Sequence, residues 1–407
     1  VKDFNTILIN IVEMQEEKDL QQLPIAVILL SLAIFFADAS HSTVIPVFPG
    51  FAEGLGASLS MIGGYGSVSG LIMLLLAIPL GRLSDTYGRR RLMVPGLVLF
   101  IFVPLTYMLA YSPLHLFPIR MVLAIAMGSI FSNGFILMSE LTTIEQRNTA
   151  QGLYMTAMGL GFTLGPLVGG YAAELYGVHY CFFISSGFAV FSLLFLLMVK
   201  RDGNIGFHDV REDTNEIGIK DMLKDRKILG SGLANFINSL MFFTVATFFP
   251  LYAATIGMND AQVGIGLTAR GLSSTLVRLP VGAIARRIGV LNLMILGLLL
   301  SASTIFSVSI SEGLILISLI MGLQGIAYGV YLTAGNAYVT ESVPSEHRGT
   351  AMGIYSTFGN VSRIISPITL GIIGEAWGLK GILQTAAVVS ITGSCVIWFL
   401  TRYAPSD

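Results

Sequence analysis

The residues of this chain with types and spacing suited to chemistry are charged side chains set inside long apolar runs. Asp38 lies in FADASHSTVIPVFP, with His41 three residues on and so on the same face of a helix. A carboxyl taken out of water favours its neutral form, so an acid in an apolar span can take up and release a proton near neutral pH. Asp38 is therefore a candidate carrier of a coupled proton; the alternative is an acid held permanently by an arginine. His41 reads first as a cavity-lining, hydrogen-bonded histidine, because no ligating cluster surrounds it, and no metal site is expected. Arg120, Arg270, Arg278 and Arg363 also fall in apolar runs, where ionisable residues are rare and face a cavity or a partner. Arg278, just before Pro280, is close enough to the end of its run to snorkel or pair with the loop. The other three outnumber Asp38. This cationic excess is answered either by an anionic substrate or by Glu140 and Glu341 at helix ends. Arg363 follows Asn360 at helical spacing and is assigned to a cavity wall. Asn133, Asn235, Asn238, Gln324 and Asn336 are further cavity candidates, each of which alone reads as a helix–helix hydrogen bond.

The elements that must position these residues follow from composition. Of 407 residues, 54% are hydrophobic and 12% charged, with mean hydropathy +0.77. A soluble domain carries about 25% charged residues, so an all-α integral membrane protein is expected, with lipid as its surroundings. The net charge of −1 gives no field for nucleic acid. Cys181 and Cys395 lie in apolar runs and read as buried thiols. Twelve spans are expected, near 23–49, 58–80, 92–111, 114–138, 148–172 and 178–199, then 228–255, 261–284, 290–310, 313–338, 349–374 and 379–401. The polar segment 1–22 precedes the first run, which is too long for a signal-peptide core. Residues 200–227, rich in charge of both signs, form a linker between bundles 23–199 and 228–401, and 402–407 form a tail. Of 23 lysines and arginines, eighteen fall in the tails, the linker and the loops on one side, one (Lys380) on the other, and four within spans. That asymmetry places both termini in the cytoplasm, in a multi-pass protein of the cell membrane.

The halves repeat. Glu140, Glu145, Arg147, Thr149, Ala150, Gly152 and Tyr154 recur as Glu341, Glu346, Arg348, Thr350, Ala351, Gly353 and Tyr355. Pro79, Gly81 and Pro166 recur as Pro280, Gly282 and Pro367, always 201 positions on. Two six-helix bundles in parallel orientation imply a two-fold axis along the membrane normal and a site between them near the midplane.

Gly81–Arg91 reads GRLSDTYGRRR and lies between the second and third runs. Gly81 and Gly88 permit tight turns and close helix approach. Asp85 is an anion suited to the positive end of a neighbouring helix, and Arg89 suits a carboxylate at a helix end, with Glu140 the candidate. Taken with Arg90, this stretch resembles the signature loop of the major facilitator superfamily, and the twelve-span plan, the linker and the weaker copy GAIARRIG at 282–289 agree. The resemblance implies that Gly81, Asp85, Gly88, Arg89, Arg90 and Glu140 latch the halves in an outward-open state. Arg286 stands where the first half has Asp85, so the latch is expected to be one-sided, with Asp85 holding the end of span 11. Gly152, Gly161, Gly165, Pro166, Gly169 and Gly170 in span 5 resemble in full the glycine–proline motif of the superfamily's drug:proton antiporters, which implies exchange rather than uptake. The spacing alone gives a smooth face for close helix packing. In the second half Ser362, Ser366 and Leu370 replace the glycines, although Pro367 stays. Asp38 followed by Pro46 and Pro49 is similar to the first span of tetracycline-type antiporters. Arg120 stands where such antiporters carry a coupling arginine, but the family's Arg-x-x-Gln-Gly is here RMVLAIAMG.

No phosphate-binding lysine loop and no nucleophile-plus-base arrangement stands out, so neither ATP drive, an enzyme nor a cofactor is expected. Runs such as Phe242, Phe243, Phe248 and Phe249 read as lipid-facing or core. The resulting expectation is a twelve-span transporter, working as a monomer, in which Asp38, Arg120 and His41 couple protons to export of small amphipathic compounds or drugs. An importer or facilitator of an organic anion is the first alternative, and a non-transporting receptor or scaffold on the same fold is the second.

Overall fold

Three pairs of glycines 201 positions apart mark where the chain turns back on itself. They are Gly56 and Gly257, Gly88 and Gly289, and Gly177 and Gly378, with φ between 72° and 97°. A Cβ is strained in that region, whereas glycine enters it freely. At Gly88 and Gly289 one such residue suffices to separate two long helices. The computed structural model describes residues 23–199, 222–344 and 347–402; the N-terminal segment 1–22, linker residues 200–221 and tail residues 403–407 lie outside the described residues.

All regular structure among the described residues is helical. The first half comprises α1 (Ile25–Thr43), α2 (Phe48–Gly54), α3 (Leu59–Tyr87), α4 (Arg89–Tyr107), α5 (Leu116–Met127), α6 (Asn133–Glu140), α7 (Arg147–Tyr176) and α8 (Val178–Met198). The second comprises α9 (Arg226–Phe243), α10 (Phe249–Thr255), α11 (Asp260–Ile288), α12 (Val290–Ile310), α13 (Leu314–Glu341) and α14 (Arg348–Arg402). α14 is two helices joined at a non-helical Gly378.

The first span of each half is interrupted near one end, where α2 begins at Phe48-Pro49 and α10 at Phe249-Pro250. Proline has no N–H to give the preceding turn. Single π-turns at Gly128–Ser132 and Thr244–Phe248 join α5 to α6 and α9 to α10. Each slips an extra residue into a turn and so re-aims the side chains that follow.

Nine described helical segments are long and apolar enough to cross a membrane. Outside that set, α7 and α11 have the length, at 30 and 29 residues, but carry glycine, threonine and arginine in place of aliphatic side chains. These two helices pack on each other rather than facing outward alone. Around the bundle Ile78, Phe102, Leu279, Leu319 and Trp377 are exposed. Apolar surface on this scale belongs against lipid, where only structures that satisfy their own backbone hydrogen bonds persist. Cys181 is buried and donates to the Thr43 carbonyl at 3.2 Å, whereas Cys395 is exposed rather than buried. The apolar run around Cys395 signalled lipid contact, which sequence pattern does not separate from core.

The halves meet along two seams, α3 against α14 and α7 against α11, related by the internal repeat. A Cβ at Gly63 would strike the Pro367 carbonyl, and one at its counterpart Gly264 would strike the Pro166 carbonyl. Gly371 stands likewise against the Leu59 carbonyl, as its counterpart Gly170 does against that of Asp260. Thr268 Oγ1 donates to the Thr163 carbonyl at 2.9 Å across one seam, and the Ser60 amide to Glu375 Oε1 at 3.2 Å across the other. At the opposite end, where the arginine loops lie, Gly81, Gly282, Gly152 and Gly353 have nothing within 4 Å of a built Cβ. Among the described residues, one end of the molecule is closed and the other is open.

Candidate functional site

Asp38 is buried on α1 where that helix crosses α7. The crossing is close because glycine lines it. A Cβ at Gly161 would press on the Phe35 carbonyl and, at 3.1 Å, on the Asp38 Cβ; at Gly165 it would meet the Ala39 carbonyl and the Thr43 amide, each at 2.8 Å. Gly169 abuts the Thr43 carbonyl. Ser42 Oγ donates to the Asp38 carbonyl at 2.7 Å and lies 3.0 Å from the Gly161 carbonyl. The α7 motif therefore divides by face. Gly161, Gly165 and Gly169 admit α1 within the same half, Gly170 and the Pro166 carbonyl serve the seam to α11, and Gly152 faces open space. The counterpart crossing is made by hydroxyls: Ser362 Oγ donates to the Phe236 carbonyl at 2.7 Å and lies 2.9 Å from Ser366 Oγ.

No described cation stands at ion-pair distance from Asp38. Arg120 turns instead to aromatic rings, its guanidinium carbon 3.5 Å from the Phe48 ring centre and 6.0 Å from that of Tyr107. Arg120, His41, Ser40, Ser185 and Tyr107 line a cavity of about 30 Å³, water-sized, within the first half. His41 and Arg120 share the wall of this cavity.

Arg270 is buried, donates through Nε to Gln324 Oε1, and lies 4.8 Å from the Tyr328 ring and 5.3 Å from the Phe242 ring. Gln324 in turn approaches Ser301 Oγ at 3.3 Å. Arg363 lays its stem on Gly70, reaches across the seam to Met73 Sδ at 3.2 Å, and has its charge 5.7 Å from the Phe243 ring. Phe242, Phe243 and Tyr328 are thus partners of cations, a role that the sequence did not suggest for them. Arg120 Nε, Arg270 Nη2 and Arg363 Nε are buried with no hydrogen-bond partner among the described residues. A ring contributes about 0.5–2 kcal/mol to a cation over its face, whereas a buried charge without a counterion costs several. The rings ease this cost without cancelling it. The clue in the sequence was the arginine excess itself: once carboxylates are used up, aromatic faces are the remaining partners.

The other polar candidates divide. Asn133 is buried and bonds the Ser129 carbonyl of its own helix at 2.9 Å, Asn235 bonds the Tyr355 carbonyl at 2.9 Å, and Asn238 is buried in α9. Asn360 is half-buried one turn before Arg363, and Asn336 is exposed. Arg278 turns back along α11 to Ser274 Oγ at 3.4 Å rather than to the loop.

At the open end Arg89 pairs with Glu140, Nε to Oε1 at 3.2 Å, and also with Asp85 and Ser84. Arg90 donates to the Leu196 and Leu197 carbonyls at 3.3 and 2.8 Å, satisfying the end of α8. Every one of these bonds lies within the first half. Asp85, 62% exposed, meets Arg89 rather than a helix end, and Gly81 makes neither a turn nor a close approach, because at this end the other half stands away.

The sequence profile of the Major Facilitator Superfamily matches the chain twice, over residues 30–232 and 231–407. The chain belongs to the Major Facilitator Superfamily. This facilitator is 23% identical over 354 residues to Multidrug resistance protein 1 of Bacillus subtilis, an alignment covering 86% of the chain and 90% of that relative. It is also 23% identical over 386 residues to Multidrug resistance protein MdtG of Salmonella arizonae, covering 90% and 93%. Among solved structures it superposes with a TM-score of 0.82 on a bacterial homologue of the human lysosomal transporter Spinster in an inward-facing, unoccupied conformation, at 14% identity and covering 93% and 97%. The nucleoside transporter NupG gives 0.75 at 14% identity, covering 93% and 99%. These structural likenesses establish the all-α fold, and the family match makes the facilitator a membrane transporter. The double match of the profile agrees with the repeat of 201 positions in the sequence and with the paired glycines of the seams.

Proposed function

We propose that this facilitator is a proton-coupled antiporter of the cell membrane that exports small amphipathic organic compounds by alternating access. The observation that carries this reading is Asp38, buried without a described counterion on the glycine-lined crossing of α1 and α7. Placing and removing a proton there changes the charge at a contact between backbones, where little slack exists to absorb it. α7 also forms the seam to α11, so a shift at Asp38 bears directly on the joint between halves. The multidrug-resistance names of the relatives support export of drug-like compounds. Bundles 23–199 and 228–401 rock as units about a central cavity bounded by Arg120, Arg270 and Arg363, with 200–227 as the linker. The chain spans the bilayer twelve times and works as a monomer with both termini inside. With the arginine loops cytoplasmic, the conformation described opens inward.

Replacing Asp38 by Asn is expected to abolish flux driven by an imposed proton gradient in proteoliposomes, while the protein still elutes as a folded species. Undiminished gradient-driven flux in Asp38→Asn overturns the coupling role. A second reading, uptake of an organic anion, draws on the partnerless donors of Arg120, Arg270 and Arg363, to which Arg278 Nε adds a fourth nearer the end of its helix. The direction in which a proton gradient moves substrate separates the two.

A further inference from the structure

Three guanidiniums lie inside the spans, one of them reaching from the second half to the first, and none has a described carboxylate at ion-pair distance. Arg363 is the central one. It projects from α14 across the seam to Met73 of α3, with its stem on Gly70 beside Ser69, whose Oγ donates to the Arg120 carbonyl at 3.4 Å. Its charge lies 5.7 Å from the Phe243 ring, Phe242 joins that ring to Tyr328 and Arg270, and His41 shares a cavity wall with Arg120. The result is a belt of positive charge and aromatic faces from one half to the other, in which each arginine retains a buried donor nitrogen without a partner. Asp38 does not neutralise it, since its side chain faces the α7 crossing and pairs with none of the three. The spans thus hold a set of oriented donors with no internal acceptor, in a setting where donors and charges are otherwise satisfied.

We propose that the cargo of this facilitator is an amphipathic organic acid, its anionic group held between Arg363 and the Arg120–His41 cavity and its apolar body lying against Phe242, Phe243 and Tyr328. The inference rests on the transporter reading above and names the charge of what is carried. An acid group such as a carboxylate or sulfonate offers two oxygens that accept a pair of bonds from a guanidinium, which a cationic compound of the same shape does not do. The aromatic faces that ease the arginines when the site is empty serve the body of the cargo when it is filled. An organic cation of the same size meets three like charges and loses affinity on that account.

A matched pair of probes tests the charge: naphthalene-2-sulfonate and 2-naphthyltrimethylammonium, titrated calorimetrically into the full chain in lipid nanodiscs. The sulfonate is expected to bind at least tenfold more tightly than the ammonium. Arg363→Gln is expected to weaken the sulfonate at least tenfold, and Arg363→Lys, which keeps the charge, to recover part of that loss. Preference for the ammonium, equal binding of both, binding of neither, or an unchanged sulfonate affinity in folded Arg363→Gln overturns the inference. The transport reading fails separately, if no proton gradient drives either probe across proteoliposomes, and the binding ratio is read independently of that flux.

Discussion

The closed end and the open end are each built from pairs of glycines repeated 201 positions apart, and they differ in what those pairs touch. At the closed end Gly63 and Gly264 each meet the carbonyl of a proline on the other half, and Gly371 and Gly170 each meet a backbone carbonyl at the start of α3 and α11. At the open end the equally repeated pairs Gly81 and Gly282, and Gly152 and Gly353, meet nothing. Glycine in a helix interior costs about 1 kcal/mol relative to alanine. Eight such positions, kept in four symmetric pairs, make sense if each end closes in turn. The difference between the ends then belongs to the conformation, and the sequence has provided both.

The largest effect is expected from filling the closed seam. Gly63→Leu together with Gly264→Leu puts side chains into two proline carbonyls, so this end cannot shut. A cysteine at Ala261, buried beside Gly170, reports on it in a Cys181→Ser, Cys395→Ser background. Its reaction with a membrane-impermeant maleimide is expected to rise by roughly two orders of magnitude, the factor that about 2.7 kcal/mol gives, and transport to be lost. Unchanged reactivity would mean that these glycines do not hold the end closed.

Filling the open end should do the reverse. Gly81→Leu together with Gly282→Leu enters empty space, so folding is expected to be unaffected in this conformation. Flux should drop about tenfold because that end cannot close in its turn, a bias of about 1.4 kcal/mol against the alternate state. Reactivity at Ala261→Cys should fall along with it. Opposite responses of one probe to two pairs of leucines would establish the comparison, and responses of the same sign would break it.

Much of this was legible before the structure. The offset of 201 anticipated the paired seams, since helices from duplicated halves meet in symmetry-related ways. The arginine loops, Glu140 beside Arg89 and the burial of Asp38 followed from residue type and spacing. Which face of α7 each glycine served was not legible. A spacing of four gives a smooth stripe without saying whether α1 or α11 lies on it. Nothing in its type or spacing tied Gly70 to an arginine, yet that is where the Arg363 stem rests. The aromatic partners of the arginines were hidden for a related reason, because Phe242, Phe243 and Tyr328 stand on helices other than those of the arginines they meet, and periodicity does not say which faces of two helices pack together. The partner of Asp85 depends on conformation, which a sequence carries only as a set of alternatives.

The smallest effect sits at that residue. In the conformation described Asp85 is largely exposed and pairs with Arg89, which also holds Glu140. An exposed pair contributes about 0.2–1 kcal/mol, and Arg89 keeps its second carboxylate when the first is gone. Asp85→Asn therefore changes this conformation little. If the proposed latch is right, the N-terminus of α14 approaches Asp85 when the open end closes, and a carboxylate near a helix N-terminus gains about 0.3–1 kcal/mol. Removing it disfavours the closed form of that end by no more than about fivefold. Maleimide reactivity at Ala261→Cys should accordingly drop by about two- to fivefold in Asp85→Asn, and the drop should vanish at high salt if screened charge is its cause. Asn at the counterpart Arg286 removes a like charge from that neighbourhood and should leave the reactivity unchanged or raise it. A fall of equal size in both variants would mean that the two halves latch alike, against the asymmetry of Asp85 and Arg286.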